Sequence, residues 1–407
     1  MSINKKTIPN NWTSVLIPEV LFFQEGPGVR KTQFRDKGVK LVNVGNINNR
    51  EINLDATKNF IDEKEAYDKY PHFLLDEGDL LIACSGIVVD NFHNKLAFIK
   101  KEHLPLCLNT STMRFKSLDE KVLDINYFKI FLQSGNFKEQ LRSLITGSAQ
   151  LNFGPSHIKQ IELLLPPLEQ QKKIAAILDA ADELRQKDKA LIAKYDELTQ
   201  ALFLDMFGGH IKDESNHRDI DKIAKFIDYR GKTPTRVING VPFISAKCVR
   251  QGYFDKERLD YITEETYSKL MTRGFPKVGD VMFTTEGATM GFTCRIPFGF
   301  DKFSVGQRLI TLQVYECYNN IVLDFMLNSL EMQTKVFNLA TGSAVKGIRS
   351  AKFAKIKIPV PPIKLQNQFA ESVKVIEEQK SIAQASAVKS EELFNSLLQK
   401  AFNGELV

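Results

Sequence analysis

Five cysteines, six histidines and one tryptophan are few for a chain of 407 residues, and their placement excludes more than it offers. Cys84, Cys107, Cys248, Cys294 and Cys317 are odd in number and contain no Cys-x-x-Cys pair, which argues against a disulfide framework and against a zinc site. No apolar run reaches the ~18 to 20 residues that span a bilayer, and the start MSINKKTIPN lacks the apolar core of a secretory signal. The expectation is a protein of the reducing cytoplasm with no membrane segment.

Catalytic patterns are absent too. Gly231-Lys232-Thr233 ends like a phosphate-binding loop, but Phe226 stands where that motif needs glycine. Gly26-Pro27-Gly28 fails as a dinucleotide fingerprint because Lys31 occupies the third glycine position, so it reads as a turn. No Gly-x-Ser-x-Gly elbow, His-Glu-x-x-His helix, zinc-deaminase pattern or Asn/Asp-Pro-Pro-Tyr base-holding motif occurs. No catalytic residue, metal ligand or cofactor is therefore assigned, and by elimination the chain binds. Its 55 basic and 49 acidic residues leave +6, which permits an anionic partner without requiring one. At 43% hydrophobic content the length suffices for two or three globular domains.

What is present is said twice. Thr146-Gly147-Ser148-Ala149 returns as Thr341-Gly342-Ser343-Ala344, and the same shift of 195 carries Ile161 onto Ile356, Pro166-Pro167 onto Pro361-Pro362 and Phe207 onto Phe402. A period this long describes two large similar modules rather than a solenoid. Each half divides into a β-rich region and a helical arm. Residues 168–207 contain neither Gly nor Pro and predict one continuous helix of the order of 60 Å, with Gly208-Gly209 as its stop. Ile174, Ile177, Ala181, Leu184, Asp188, Leu191, Tyr195, Leu198 and Leu202 follow a 3-4 spacing, the pattern of a coiled-coil seam. The second arm, 363–402, stops at Asn403-Gly404 and has a poorer seam of Phe369, Ile376, Ala383, Leu393 and Leu397, so it needs a partner that the first arm can supply. A dimerisation helix is the competing reading.

In the β-rich regions Gly78-Asp79-Leu80-Leu81-Ile82 corresponds to Gly279-Asp280-Val281-Met282-Phe283 at a shift of 201, and Leu41-Val42 to Phe243-Ile244 at 202. The drift puts insertions in loops. A common scaffold with differing loops suits two recognition units with different targets.

Taken together, the two variable modules, each closed by Thr-Gly-Ser-Ala, a short strand, a Leu-Pro-Pro-Leu or Val-Pro-Pro-Ile turn and a long helix, resemble the DNA specificity subunit of type I restriction-modification systems over essentially the whole chain. The most specific stretch runs from Thr146-Gly147-Ser148-Ala149-Gln150-Leu151-Asn152-Phe153 to Leu165-Pro166-Pro167-Leu168-Glu169-Gln170-Gln171. The second copy departs from it at Val345-Lys346-Gly347 and Lys364-Leu365-Gln366. The resemblance implies an α+β fold of two target recognition domains, at 1–165 and 211–360. Two long antiparallel helices, at 166–210 and 361–407, separate them as a coiled coil with pseudo-twofold internal symmetry. It also implies the function. Each domain would read one half of a split double-stranded DNA target, and the arms would set the gap and dock two modification subunits that methylate adenine, with restriction subunits joining through that core. This chain would itself be non-catalytic.

Reading DNA needs cations for phosphates and Arg, Asn, Gln, Ser or Thr for base edges. Loop candidates in the first module are Arg30, Lys31, Gln33, Arg35, Asn43, Asn46, Asn48, Asn49, Arg50, Ser85, Asn109 and Thr110. At matched places the second module offers Arg230, Lys232, Thr233, Arg236, Lys247, Arg250 and Gln251, with Glu286, Thr289, Gln307 and Arg308 beyond. Gln150 and Asn152, with Lys346 and Arg349 opposite, lie in the shared segment and suit backbone contact better than sequence reading. The bland alternative for each is a solvated loop residue. The rival function is a scaffold that uses its two modules to hold protein partners.

Overall fold

The computed structural model describes residues 9–86, 94–145, 152–229, 233–342 and 345–406. Both Thr-Gly-Ser-Ala tetrads fall wholly or partly outside the described residues, as do Gln150, Arg230 and Lys232.

The repeat is one of topology. In the first module Leu21–Glu25, Thr112–Ser117, Leu80–Ala83 and Leu96–Phe98 form an antiparallel sheet in that order; in the second, Ala224–Asp228, Leu309–Val314, Val281–Thr284 and Thr293–Arg295 do the same. Each module adds a mixed three-stranded sheet. Val39–Val42 runs parallel to Leu106–Leu108 and antiparallel to Phe60–Ile61, as Val241–Ile244 runs against Ser304–Val305 and Asp260–Ile262. A small hairpin and a closing ribbon also recur, the ribbons pairing Thr13–Leu16 with Glu162–Leu165 and His217–Asp219 with Lys357–Pro359. The alternation of buried and exposed residues is weak because the central strands are covered on both faces, as Leu80–Ala83 and Val281–Thr284 are buried throughout.

By its contacts the chain forms two units, Met1–Lys189 with Ala385–Val407, and Ala190–Gln384. Each arm therefore contributes half its length to each unit. In the first, Phe394, Leu398 and Phe402 of the second arm join Ile174 and Leu178 of the first arm in a core with Phe115, Phe128, Phe131 and Phe137. In the second, Phe203 and Phe207 meet Phe369 at ring-centroid distances of 5.8 and 5.2 Å, beside the stacked pair Phe283 and Phe353. The arms run antiparallel within each unit: Arg185 bonds Glu391 while Asp188, further along, meets Ser386, and Asp196 pairs with Lys380 while Phe207 meets Phe369.

A buried glutamine sets the start of each arm. Gln171 and Gln366 are fully enclosed. Gln171 accepts from Asp124 N–H at 2.9 Å and donates to the Val122 and Pro166 carbonyls; Gln366 accepts from Asn319 N–H at 2.8 Å and donates to the Cys317 and Pro361 carbonyls. Buried amides with every partner in place are rigid joints. These joints explain why Gln survives in the second copy although Glu169-Gln170 has become Lys364-Leu365.

Two expectations about the arms need correction. Gly208-Gly209 does not end the first helix, which runs Leu168–Lys212. Each glycine costs a helix about 1 kcal/mol, and burying Phe203 and Phe207, with Ile211 packed beside them, offsets it. The second arm, Ile363–Phe402, does stop before Asn403-Gly404, where Gly404 takes φ of 73°. The seam is shifted as well. Ile174 and Ala181 are buried and Tyr195 and Leu202 half-buried, but Ile177, Leu184, Leu191 and Leu198 are 36%, 45%, 41% and 52% exposed. The positions turned inward are one residue later: Leu178, Arg185, Ile192 and Thr199. In the second arm Phe369, Ile376 and Leu397 face inward as expected, while Leu393 is 46% exposed and Phe394 takes its place. The spacing was right and the phase wrong, because the buried stripe runs through polar residues: Arg185 lies 4.0 Å over the Phe394 ring and 2.8 Å from Glu391.

Among the described residues no helix is long and apolar enough to cross a membrane, and no group of three His, Cys, Asp or Glu could hold a metal ion.

Candidate nucleic-acid interface

In the second module five of the loop candidates converge. Thr233, Arg236, Lys247, Gln307 and Arg308 line one cleft of about 250 Å³, floored by Tyr229, Phe243, Leu270 and Val305. The strand end at Ile244 and its parallel neighbour at Val305 bring these loops together: Gly306 N–H donates to the Ile244 carbonyl at 2.7 Å. Gln307 donates to the Thr233 hydroxyl at 3.3 Å, joining two sides of the rim. A bend at Gly240 leads from the Thr233 to Arg236 loop into the strand Val241–Ile244. Its φ is 155° and an added Cβ would lie 2.3 Å from the Ile262 carbonyl oxygen, so only glycine fits.

The cations of this cleft are held by acids. Asp260 sits between Arg236 and Lys247, 2.9 Å from each, and Glu286 is 2.8 Å from Arg308. Asp260 was not singled out in the sequence, since nothing local marks it; only strand pairing brings Asp260 opposite Phe243. Arg250 is turned away, half-buried against Asp255 at 3.6 Å and the Val249 carbonyl, so it braces its own hairpin rather than lining the cleft. Thr289 donates weakly to the Ala246 carbonyl at 3.4 Å, and Gln251, Lys346 and Arg349 are solvent-facing or nearly so.

The first module places its candidates differently. Arg30 and Lys31 are exposed and, among the described residues, have no acid partner. Several others serve the fold. Gln33 donates to Glu65 at 2.6 Å and Tyr70 at 3.1 Å, and Arg35 binds the Thr32 and Phe34 carbonyls. Asn46 is fully buried, bonded to Asn43, Asn53 and Thr57. Asn109, 4% exposed, donates to Asn43 at 2.7 Å and accepts from Val29 N–H at 3.1 Å. Asn48 caps the Gly45 carbonyl and accepts from Lys95. Ser85 and Asn152 bond each other at 2.8 Å, and Thr110 remains exposed.

Arg50 departs most from its expected role. Asn49 and Arg50 take φ of 49° and 66°, the two left-handed positions of a type I′ hairpin turn. The turn delivers the guanidinium to Asp182 on the first arm and to Gln133 at 3.1 Å. Burial, and secondarily Arg185, pushes its pKa down to about 10. It fastens the module's hairpin to the arm and is not available to a phosphate.

The family model for the type I restriction modification DNA specificity domain matches residues 9–194 and again 221–387. The chain is similar to the type I restriction enzyme MjaVIII specificity subunit of Methanocaldococcus jannaschii, 30% identical over 190 residues, 46% of this chain and 44% of that one. It is similar to the EcoKI specificity subunit of Escherichia coli K12, 21% identical over 98% of this chain and 90% of that one. The crystal structure of the type I restriction-modification S subunit from M. genitalium aligns over 97% of both chains with a TM-score of 0.60 at 15% identity, a likeness of fold.

Proposed function

This chain belongs to the type I restriction modification DNA specificity family, and from that membership we propose that it is the subunit that gives a type I restriction-modification complex its DNA target. Each module reads one half of a split double-stranded sequence. The observation that carries this reading is the pairing of one repeated topology with unlike loops, one set of which gathers Thr233, Arg236, Lys247, Gln307 and Arg308 around a single cleft. The arms fix the distance between the half-sites.

The arms also dock the modification subunits. Ile177, Leu184, Leu191 and Leu198 recur every seven residues along one helix and stay exposed, and Val375 and Ile382 repeat the pattern on the other. Large aliphatic side chains in such register, left uncovered by this chain, suit a partner's helices. Adenine methylation, translocation and cleavage then belong to partner subunits. The division 1–165, 166–210, 211–360 and 361–407 describes these roles, with recognition in the first and third segments.

Sequencing methylated adenines in cells carrying this chain and its modification subunits tests the reading. The expected result is a bipartite motif with a fixed gap. Binding by the assembled complex that weakens steeply with salt separates DNA recognition from the scaffold reading, for which DNA affinity and its salt slope would both be absent.

A further inference from the structure

The cleft of the second module lies where the two modules differ at two matched residues. After the matched strand ends, Val42 and Ile244, the first module has Asn43 where the second has Ser245; after the matched partners, Leu108 and Val305, it has Asn109 where the second has Gly306. In the first module the Asn43 and Asn109 amides bond across the gap at 2.7 Å and fill it. In the second Ser245 and Gly306 stand there instead, with no pair of amides to bridge the gap, and both line the cleft. The Ser245 hydroxyl is left buried without a well-formed hydrogen bond among the described residues. It neighbours the Cys248 thiol, which burial pushes up and which Ser245 draws partly back.

We propose that this cleft, by way of Gln307, reads the major-groove edge of one A·T base pair; the inference rests on the DNA-reading role above. The committed charges decide the base. Guanine is read by Arg or Lys, whereas adenine suits the amide of Gln or Asn and the thymine methyl suits an apolar surface. Here Arg236 and Lys247 are tied to Asp260, and Arg308 to Glu286. Among the described residues the polar groups of the cleft left uncommitted are neutral. Gln307 spends one N–H on Thr233 and keeps its oxygen and second N–H, the pair that matches adenine N6 and N7. Phe243, Leu270 and Val305 supply the apolar floor for the methyl.

The test selects duplexes from a randomised library with the full chain co-expressed with its modification subunits. Wild type is compared with Gln307→Ala and with Ser245→Asn/Gly306→Asn, which transplants the first module's filling. An added Cβ at Gly306 would lie 3.2 Å from Phe243 Cζ and 3.3 Å from the Ile244 carbonyl oxygen, so Gln307→Ala, which needs no space, carries the decision should the double variant lose both half-sites. One A·T position in one half-site should become degenerate in both variants, its discrimination falling roughly 5- to 150-fold while the other half-site is unchanged. Replacing that thymine by uracil should weaken wild-type binding about three- to five-fold. A lost position that is G·C, or a motif unchanged by Gln307→Ala, overturns the cleft assignment. A wild-type complex that selects no split motif overturns the DNA-reading role itself, a separate result.

Discussion

In the first module the loop after Val42 is a closed polar lattice. Asn43, Asn46 and Asn109 bond to one another and to backbone, and Arg30 and Lys31 lie outside it with no acid partner among the described residues. In the second module the same loop borders a cleft, and its described cations Arg236, Lys247 and Arg308 are each matched to a carboxylate of the module itself. One topology thus carries two electrostatic designs. The first leaves positive charge free, which favours any phosphate backbone. The second neutralises its charge and presents uncharged hydrogen-bonding groups at a cleft, which favours reading over anchoring.

The frame beneath both designs is the first thing to break. Removing one heptad from each arm, residues 182–188 and 377–383, should either abolish activity or shorten the recognised gap by about 3 bp, since seven helical residues span ~10 Å and a base pair ~3.4 Å. Methylated-adenine sequencing checks it. Methylation at an unchanged gap would mean that the arms do not measure distance. Gln171→Leu and Gln366→Leu come next. Each strands the same three backbone groups at the start of an arm, so each should destabilise its unit by about 2 to 4 kcal/mol in thermal unfolding. Unequal losses would show that the joints are not equivalent despite their matched bonds.

Arg50 and Gln307 separate holding from reading. Arg50→Ala leaves Asp182 with Arg185 alone and should lower stability by about 1 to 3 kcal/mol with the preferred sequence of its half-site intact. Gln307→Ala should do the reverse, leaving the melting temperature almost unchanged and weakening one half-site by up to about 2 kcal/mol. Library selection beside a melting curve distinguishes them. Loss at both half-sites from Gln307→Ala would contradict modular reading.

The repeat, the arms and the family were legible because they depend on local signals: glycine-free helical stretches, a Pro-Pro turn, a tetrad in fixed register. The seam was legible in spacing but not in phase. Leucines normally mark the buried stripe, and here Leu184, Leu191 and Leu198 point outward while Arg185 and Asp188 point in. That inversion leaves one face of the paired helices buried through polar residues and a leucine-bearing face exposed. Asparagine-rich loops misled for a similar reason. Asn46 and Asn109 have the residue type of base readers, but only the fold reveals that their amides are spent on backbone and on neighbouring side chains. Asp260 gave no signal at all, since its importance lies in a strand partner and two cations distant in sequence.

Asp260 also gives the finest test of the contrast between modules, because the first module answers it with Asn59, whose carbonyl accepts from Leu41 N–H at 2.9 Å across the equivalent strand pair. Asp260→Asn removes the charge that holds Arg236 and Lys247 and makes the second cleft resemble the first in electrostatic terms. The freed cations should then bind phosphates of any sequence. Affinity of the assembled complex for non-cognate duplex should rise about three- to ten-fold, and the slope of log affinity against log salt should steepen by about one to two, one for each cation released to a phosphate. Cognate affinity should rise less, so discrimination falls even as binding tightens. If instead both affinities fall together, Asp260 touches a base directly and the second module's restraint on its own charge is not what separates reading from anchoring.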